Sequence, residues 1–198
     1  MSQRNSGYRR KVLDDYATPA WVTQALLPHL PARVRTIWEP AAGRGQMVHA
    51  LKQAGYTVHA SDISDGIDFL GEEFAGFDSE AIVTNPPYSK AQAFIERALH
   101  LTKSSGVVAM LLRCDYDHAA TRQHLFGQCP QFAKKLILTK RIVWFAGPKA
   151  APSFNHAWFI WNWKHHGPPS LAYWQPDLPA EIRPNTRNGR PSLSAHAR

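Results

Sequence analysis

Cysteine is scarce in this chain: Cys114 and Cys129 are the only two in 198 residues. That argues against a disulfide framework and for a reducing compartment, the cytoplasm. Their spacing matches no metal-ligand or redox motif. There are ten histidines, but no HExxH and no Cys/His cluster, so no metal is expected. The adjacent pair His165-His166, just before a Pro-rich segment, reads as solvated. No apolar run approaches membrane-spanning length, so no membrane segment is expected. Residues 1–11 are polar and basic with no apolar stretch after them, which does not fit a secretory signal. Internal repeats are absent. Acidic residues are also few, 15 against 23 Lys and Arg, for a net charge of +8.

The excess charge is concentrated. Between Arg113 and Lys164 lie eight basic residues (Arg113, Arg122, Lys134, Lys135, Lys140, Arg141, Lys149, Lys164), opposed only by Asp115 and Asp117. This local +6 points to a polyanionic partner, with ordinary surface charge the alternative. A hydrophobic fraction of 44% and the chain length fit one domain with a full core.

Strand and helix signals alternate along the chain. Thr18 reads as an N-cap and Pro19 as the first helical position of a helix to about Leu27, ended by Pro28 and Pro31. Arg35 to Trp38 reads as a strand. The loop Glu39 to Gly45 leads into a helix from Gln46 to Ala54, closed by Gly55. Thr57 to Ala60, Ala81 to Thr84, Gly106 to Leu112, Lys135 to Leu138 and Ala157 to Trp163 read as strands. Lys90 to Leu101 and His118 to Phe126 read as helices. The pattern predicts an α/β doubly wound, mostly parallel sheet. Residues 1–13 are expected to form a flexible basic arm. From Gly167 to the end, six prolines and no regular period predict an extended tail, partly disordered.

In open α/β sheets ligands sit outside the carboxyl ends of strands, and four features fall there. Glu39-Pro40-Ala41-Ala42-Gly43-Arg44-Gly45 lets a ligand approach the backbone closely before a helix starts. It is neither GxGxxG nor a lysine-bearing phosphate cradle. Glu39 would repel a pyrophosphate and favours an amine or sulfonium, which points to S-adenosylmethionine. Asp62, seventeen residues beyond Gly45, suits the hydroxyls of a ribose. Asp68 and Phe69 offer an acceptor and an apolar wall for an adenine ring, with a solvated loop acid as the alternative for Asp68.

Asn85-Pro86-Pro87-Tyr88 is the most informative feature. Two consecutive prolines after a buried strand fix two φ angles and remove two donors, making a stiff lip that carries an amide, carbonyls and an aromatic ring. Such a lip suits a planar group bearing an amine. The Asn85 side-chain oxygen and the Pro86 carbonyl can accept from that amine, Pro87 keeps the lip rigid, and Tyr88 can stack on the ring.

With Tyr-x-Thr-Pro at residues 16–19, Glu-Pro-x-Ala-Gly-x-Gly at 39–45, the acid Asp62, Asp-Phe-Leu at 68–70 and Asn-Pro-Pro-Tyr at 85–88, the chain resembles class I S-adenosylmethionine-dependent methyltransferases. The likeness is to the DNA N-6-adenine type in a gamma-like motif order, over about residues 14 to 163. It implies a Rossmann-like class I methyltransferase fold over residues 1–166, with helices on both faces and a late antiparallel strand. It implies that Thr18 and Pro19 help hold the methionine end of the cofactor, that Glu39, Ala41, Gly43 and Gly45 line its amino-acid portion, and that Asn85 is also a cofactor-binding residue. Asp62 would take the ribose, and Asp68 and Phe69 the adenine. A loop near residues 145–156 would help close the target pocket, which makes Phe154 and His156 candidates for base contact, with hairpin packing the alternative. Arg113 and Arg141 are candidates for phosphate contact, or ordinary surface charges. Trp158, Phe159, Trp161 and Trp163 read as sheet core.

Nothing of domain size is left for a separate recognition region. The expected substrate is adenine in DNA, acted on by a monomer, with RNA the main alternative. A glutamine in a protein fits less well, since no N-terminal helical domain is present and such a substrate would not need the basic segment. A non-catalytic binding module would be expected to have lost the lip or the glycine loop, and both are intact.

Overall fold

Short apolar runs ended by turn formers are too brief for helices and too apolar for a surface, so they settle as interior strands of a parallel sheet. The computed structural model describes residues 17–71, 76–144 and 154–175. Seven strands, β1 (Thr36–Glu39), β2 (Thr57–Ala60), β3 (Ala81–Thr84), β4 (Val107–Arg113), β5 (Phe132–Leu138), β6 (His156–Asn162) and β7 (Ser170–Trp174), form one sheet in the order β2-β1-β3-β4-β6-β5-β7. Among the described strands only β6 runs against the others, antiparallel to both β4 and β5.

Strand alternation divides the core between the two faces. Ile37, Val83, Ala109 and Leu111 meet Val22 and Leu26 of α1 (Ala20–Leu26) and Met47 and Leu51 of α2 (Gln46–Gln53). Trp38, Ile82, Val108 and Met110 meet Phe94, Ile95 and Ala98 of α3 (Ala91–Leu101). A register shift between Phe132 and Lys134 inverts the alternation of β5. Phe132 therefore lies on the α3 side, and Leu136 and Leu138 on the other.

The aromatic strand β6 is core, as its sequence suggests: Trp158, Phe159 and Trp161 are fully buried. Burying a ring such as Phe159 contributes about 2 kcal/mol or more. The two indoles also need acceptors, and find them in Val22 O at 2.9 Å (Trp158) and Leu125 O at 2.7 Å (Trp161).

Three expectations are corrected. Residues 118–126 are not an α-helix: extended Ala119 divides the segment into 3-10 turns at Tyr116–His118 and Ala120–Leu125. The Leu125 carbonyl at the end of the second turn accepts from Trp161. Thr18 is not the N-cap of α1. Pro19 holds that position, at φ −59° and ψ 144°, and its carbonyl accepts from Val22 N–H. The segment after Gly167 is not featureless, because β7 adds a parallel edge strand to β5. Trp174 anchors it by stacking on Trp21 at 4.8 Å, while Leu171 and Tyr173 stay exposed. The expected basic arm, the loop at 145–153 and the tail beyond residue 175 lie outside the described residues.

Candidate active site

β1, β2, β3 and β4 all end on one edge of the sheet, and the residues singled out by motif gather along it. Glu39 closes β1 and is 1% exposed. Its Oε1 accepts from the Ala41 N–H at 3.2 Å, which bends the chain into the loop. Among the described residues neither Oε2 nor the buried Thr84 hydroxyl at the end of β3 has a hydrogen-bond partner. Burial pushes the Glu39 carboxyl up to about 8. Nearby Thr84 and the Ala41 N–H pull it back, and the Asp62 charge adds to the rise.

The glycine loop is tied to the end of β2. Ala42 N–H donates to Ser61 O at 3.0 Å and Gly43 N–H to Asp62 Oδ2 at 2.8 Å. Gly45, at φ +77°, turns the chain through the left-handed region into α2, where a side chain would strain the backbone. Asp62 Oδ1 accepts from the Ser64 N–H at 2.9 Å and the Ser64 hydroxyl at 2.8 Å. Partial burial pushes the Asp62 carboxyl up, but the bonds from Ser64 and Gly43 outweigh it and the net shift is downward. Asp62 is thus held ionised with both oxygens oriented.

The Asp68-Phe69 pair behaves differently. Asp68 Oδ1 caps its own turn through the Leu70 N–H at 2.9 Å. Phe69 is 2% exposed and packs against Trp38 and Phe94, with ring centroids 5.0 and 4.7 Å away. The ring expected to wall an adenine thus fills the core between β1 and α3.

In the lip, Pro86 is buried and Asn85, Pro87 and Tyr88 are half-buried. Thr18 turns its hydroxyl to this lip: Oγ1 accepts from Asn85 Nδ2 at 3.2 Å. Tyr88 hydroxyl and His156 Nε2 lie 2.6 Å apart. His156 is 1% exposed, so its link to the site runs through Tyr88 rather than across an open surface. Burial pushes its imidazole down to about 4, with the Arg113 charge adding to the fall and the Phe154 carbonyl opposing it.

Arg113 is drawn inward. It forms a two-pronged pair with Asp115, at 3.0 and 2.6 Å, and its guanidinium lies over the Phe154 ring at 4.2 Å. Of the two candidate phosphate contacts, Arg113 thus has its charge matched within the chain. Lys135 is likewise paired with Asp117 at 2.8 Å. Arg141 is exposed and touches only a neutral group among its described bonds, donating to Asn155 Oδ1 at 3.0 Å. Both acids of the basic segment are thus spent on Arg113 and Lys135, and Lys149 lies outside the described residues.

Sequence reasoning missed Thr84 beside Glu39, Ser64 beside Asp62 and the Arg113–Phe154 stack. Only Ser64 left a local signal, as the Asp-x-Ser spacing of a side-chain-capped turn. Among the described residues no group of three metal-ligating side chains occurs, and no helix is long and apolar enough to cross a membrane.

No protein-family model matches the sequence, and no curated protein matches it. Solved structures do share the fold. A type I restriction-modification methyltransferase subunit from Streptococcus thermophilus is similar at TM-score 0.55 and 14% identity, over 76% of this chain and 45% of that one. A Listeria monocytogenes protein described as a class I S-adenosylmethionine-dependent methyltransferase is similar at 0.56 and 12%, over 86% and 68%. The precorrin-6y C5,15-methyltransferase of Geobacter metallireducens is similar at 0.52 and 14%, over 81% and 96%. The chain spans less than half the length of the streptococcal subunit. Sheet order, the single antiparallel strand and these likenesses together identify the fold as the Rossmann-like class I methyltransferase fold.

Proposed function

We propose that this protein transfers a methyl group from S-adenosylmethionine to the exocyclic amino group of adenine in DNA. The observation that carries the reading is the commitment of Asn85 Nδ2 to Thr18 at 3.2 Å. With the amide nitrogen engaged as a donor, its oxygen is left to accept. An adenine amine is a poor nucleophile because its lone pair is delocalised into the ring. Acceptors on its two hydrogens, Asn85 Oδ1 and the Pro86 carbonyl, favour a tetrahedral nitrogen with a localised pair. The stiffness of Pro86-Pro87 preorganises both acceptors. Tyr88 offers its ring as a stacking surface for a base taken out of the duplex.

The residues present fit the cofactor. Buried Glu39 Oε2, without a hydrogen-bond partner among the described residues, is the acceptor that an α-ammonium group would satisfy, the cation's charge favouring the ionised carboxyl. Asp62, ionised and oriented by Ser64 and Gly43, suits the ribose hydroxyls. When bound, S-adenosylmethionine supplies an electrophilic methyl on a sulfonium. The chain's own work is to hold the amine, bare its lone pair and exclude water. DNA is favoured as substrate by the fold shared with a restriction-modification methyltransferase subunit, and the exposed Arg141 near the lip end of β6 suits a backbone phosphate.

The test is methyl transfer from isotope-labelled S-adenosylmethionine to unmethylated genomic DNA, with total RNA in parallel and Asn85→Ala protein as control. Products are digested to nucleosides and identified by mass spectrometry. Labelled N6-methyladenine from DNA, lost in the variant, supports the reading. Label confined to RNA, or undiminished in the variant, overturns it.

A further inference from the structure

The Asn-Pro-Pro-Tyr lip is held from outside its own segment at both ends. At the first end Asn85 is tied to Thr18, 67 residues away in sequence. At the other, Tyr88 is tied to His156, 68 residues away. The second tie has a chemistry that assigns a role.

His156 opens β6, in antiparallel register with Arg113 at the end of β4. Its Nδ1 lies 3.1 Å from the Phe154 carbonyl. A carbonyl only accepts, so Nδ1 carries the ring proton. The neutral ring then has a bare Nε2, and the Tyr88 O–H donates to it at 2.6 Å. The phenol's one hydrogen therefore points into the protein. Trp144 meets the imidazole edge-on at 5.3 Å between ring centroids, and Arg113 stacks on Phe154, the residue whose carbonyl sets the tautomer. The imidazole need not touch a ligand to act on one through Tyr88.

We infer that His156 is a positioning residue that fixes the Tyr88 ring as a preset stacking surface for the target base. The inference rests on the adenine-methylating reading of the lip. A tyrosine free to turn about χ1 would have to be immobilised each time a base enters. A ring already bonded to a buried, neutral imidazole has lost that freedom beforehand. The role needs an acceptor at Nε2 and nothing else, which separates it from acid–base catalysis.

The experiment compares wild type with His156→Leu, His156→Gln, Tyr88→Phe and the Tyr88→Phe/His156→Leu double variant. It measures kcat and KM on methylatable DNA, and fluorescence of duplexes carrying 2-aminopurine at the target position. His156→Leu is expected to lower kcat by about 10-fold or more and to diminish the change in 2-aminopurine fluorescence. Its affinity for S-adenosylmethionine is expected to match wild type. His156→Gln, whose Oε1 can accept, is expected to recover most of the loss. In the Tyr88→Phe background the leucine change is expected to add less than about twofold, because the bond it removes is already gone. Tyr88→Phe, which keeps the ring, is expected to reproduce the loss even if His156→Leu fails to fold. Wild-type kcat and fluorescence in Tyr88→Phe, full additivity in the double variant, or no recovery with glutamine would each overturn the inference while leaving the function intact. A wild-type protein that methylates no adenine would overturn the function, and this inference with it.

Discussion

Gly43 donates its backbone N–H to Asp62 Oδ2 at 2.8 Å, joining the glycine loop after β1 to the acid after β2. The bond crosses 19 residues of sequence and makes two motif elements one rigid corner. Under the proposed function Asp62 has two tasks, holding the loop and taking the ribose of S-adenosylmethionine.

Asp62→Ala should therefore weaken S-adenosylmethionine binding by about 10- to 100-fold, the range for losing bonds to a charged group. Isothermal titration calorimetry measures it. Near wild-type affinity would mean that Asp62 is structural only.

Asn85→Ala should separate the two halves of the site. Turnover on DNA should fall by about 10³-fold, in line with removal of a preorganised acceptor. Cofactor affinity, measured by the same titration, should stay within a few-fold of wild type. Loss of both together would show that the amide shapes the cofactor pocket instead.

Glu39 sets a pH dependence of stability. Its folded carboxyl titrates at about 8, against an ordinary value of 4.5. Between these values the folded chain holds a proton that the unfolded chain lacks, so stability falls as pH rises through the window, by about 1.4 kcal/mol per unit at most. Glu39→Gln removes the titration. It should raise Tm at pH 7, with a gain that widens from pH 5 to 8 in differential scanning fluorimetry, while weakening S-adenosylmethionine binding. A constant gain across that range would contradict the assignment.

His156 acts with the opposite sign. Its folded imidazole titrates at about 4 against an ordinary 6.5, so the unfolded chain binds the extra proton in that interval. The contribution of His156 is fully present above 6.5 and is lost as pH falls toward 4. The His156→Gln variant should lose less stability than wild type between those values. Urea unfolding at pH 7 and pH 5 tests this, and equal losses would count against a buried neutral imidazole.

β7 makes a prediction about the chain's limits. A boundary near residue 166 would leave a shortened chain as stable as the whole. The structure instead seats Trp174 on Trp21, with Ala172 and Trp174 packed against the core. Trp174→Ala should cost about 2 kcal/mol in urea unfolding, and a chain ended after residue 166 should cost more. Unchanged stability on shortening would restore the earlier boundary.

The strands at 57–60 and 81–84, the helix starting at Gln46 and the stiff lip at 85–88 were legible in the sequence. Each is set by local chemistry: apolar run length, a left-handed glycine, paired prolines. The aromatic core strand was legible for the same reason. The edge strand β7 was not, because two prolines precede it and half its side chains face outward, and an edge strand needs only a neighbour with unpaired backbone. The site divides the same way. Motif order singled out residues that the fold brings to the strand ends, but their pairings were not readable from it. Thr18 with Asn85, Tyr88 with His156 and Arg113 with Asp115 and Phe154 depend on where strand ends meet in space. So does the state of Glu39, since burial sets its proton affinity and only the folded sheet buries it. Local sequence determined the elements and the lip. Tertiary contact decided the orientation of the amide, the setting of the ring and the charge of each titrating group.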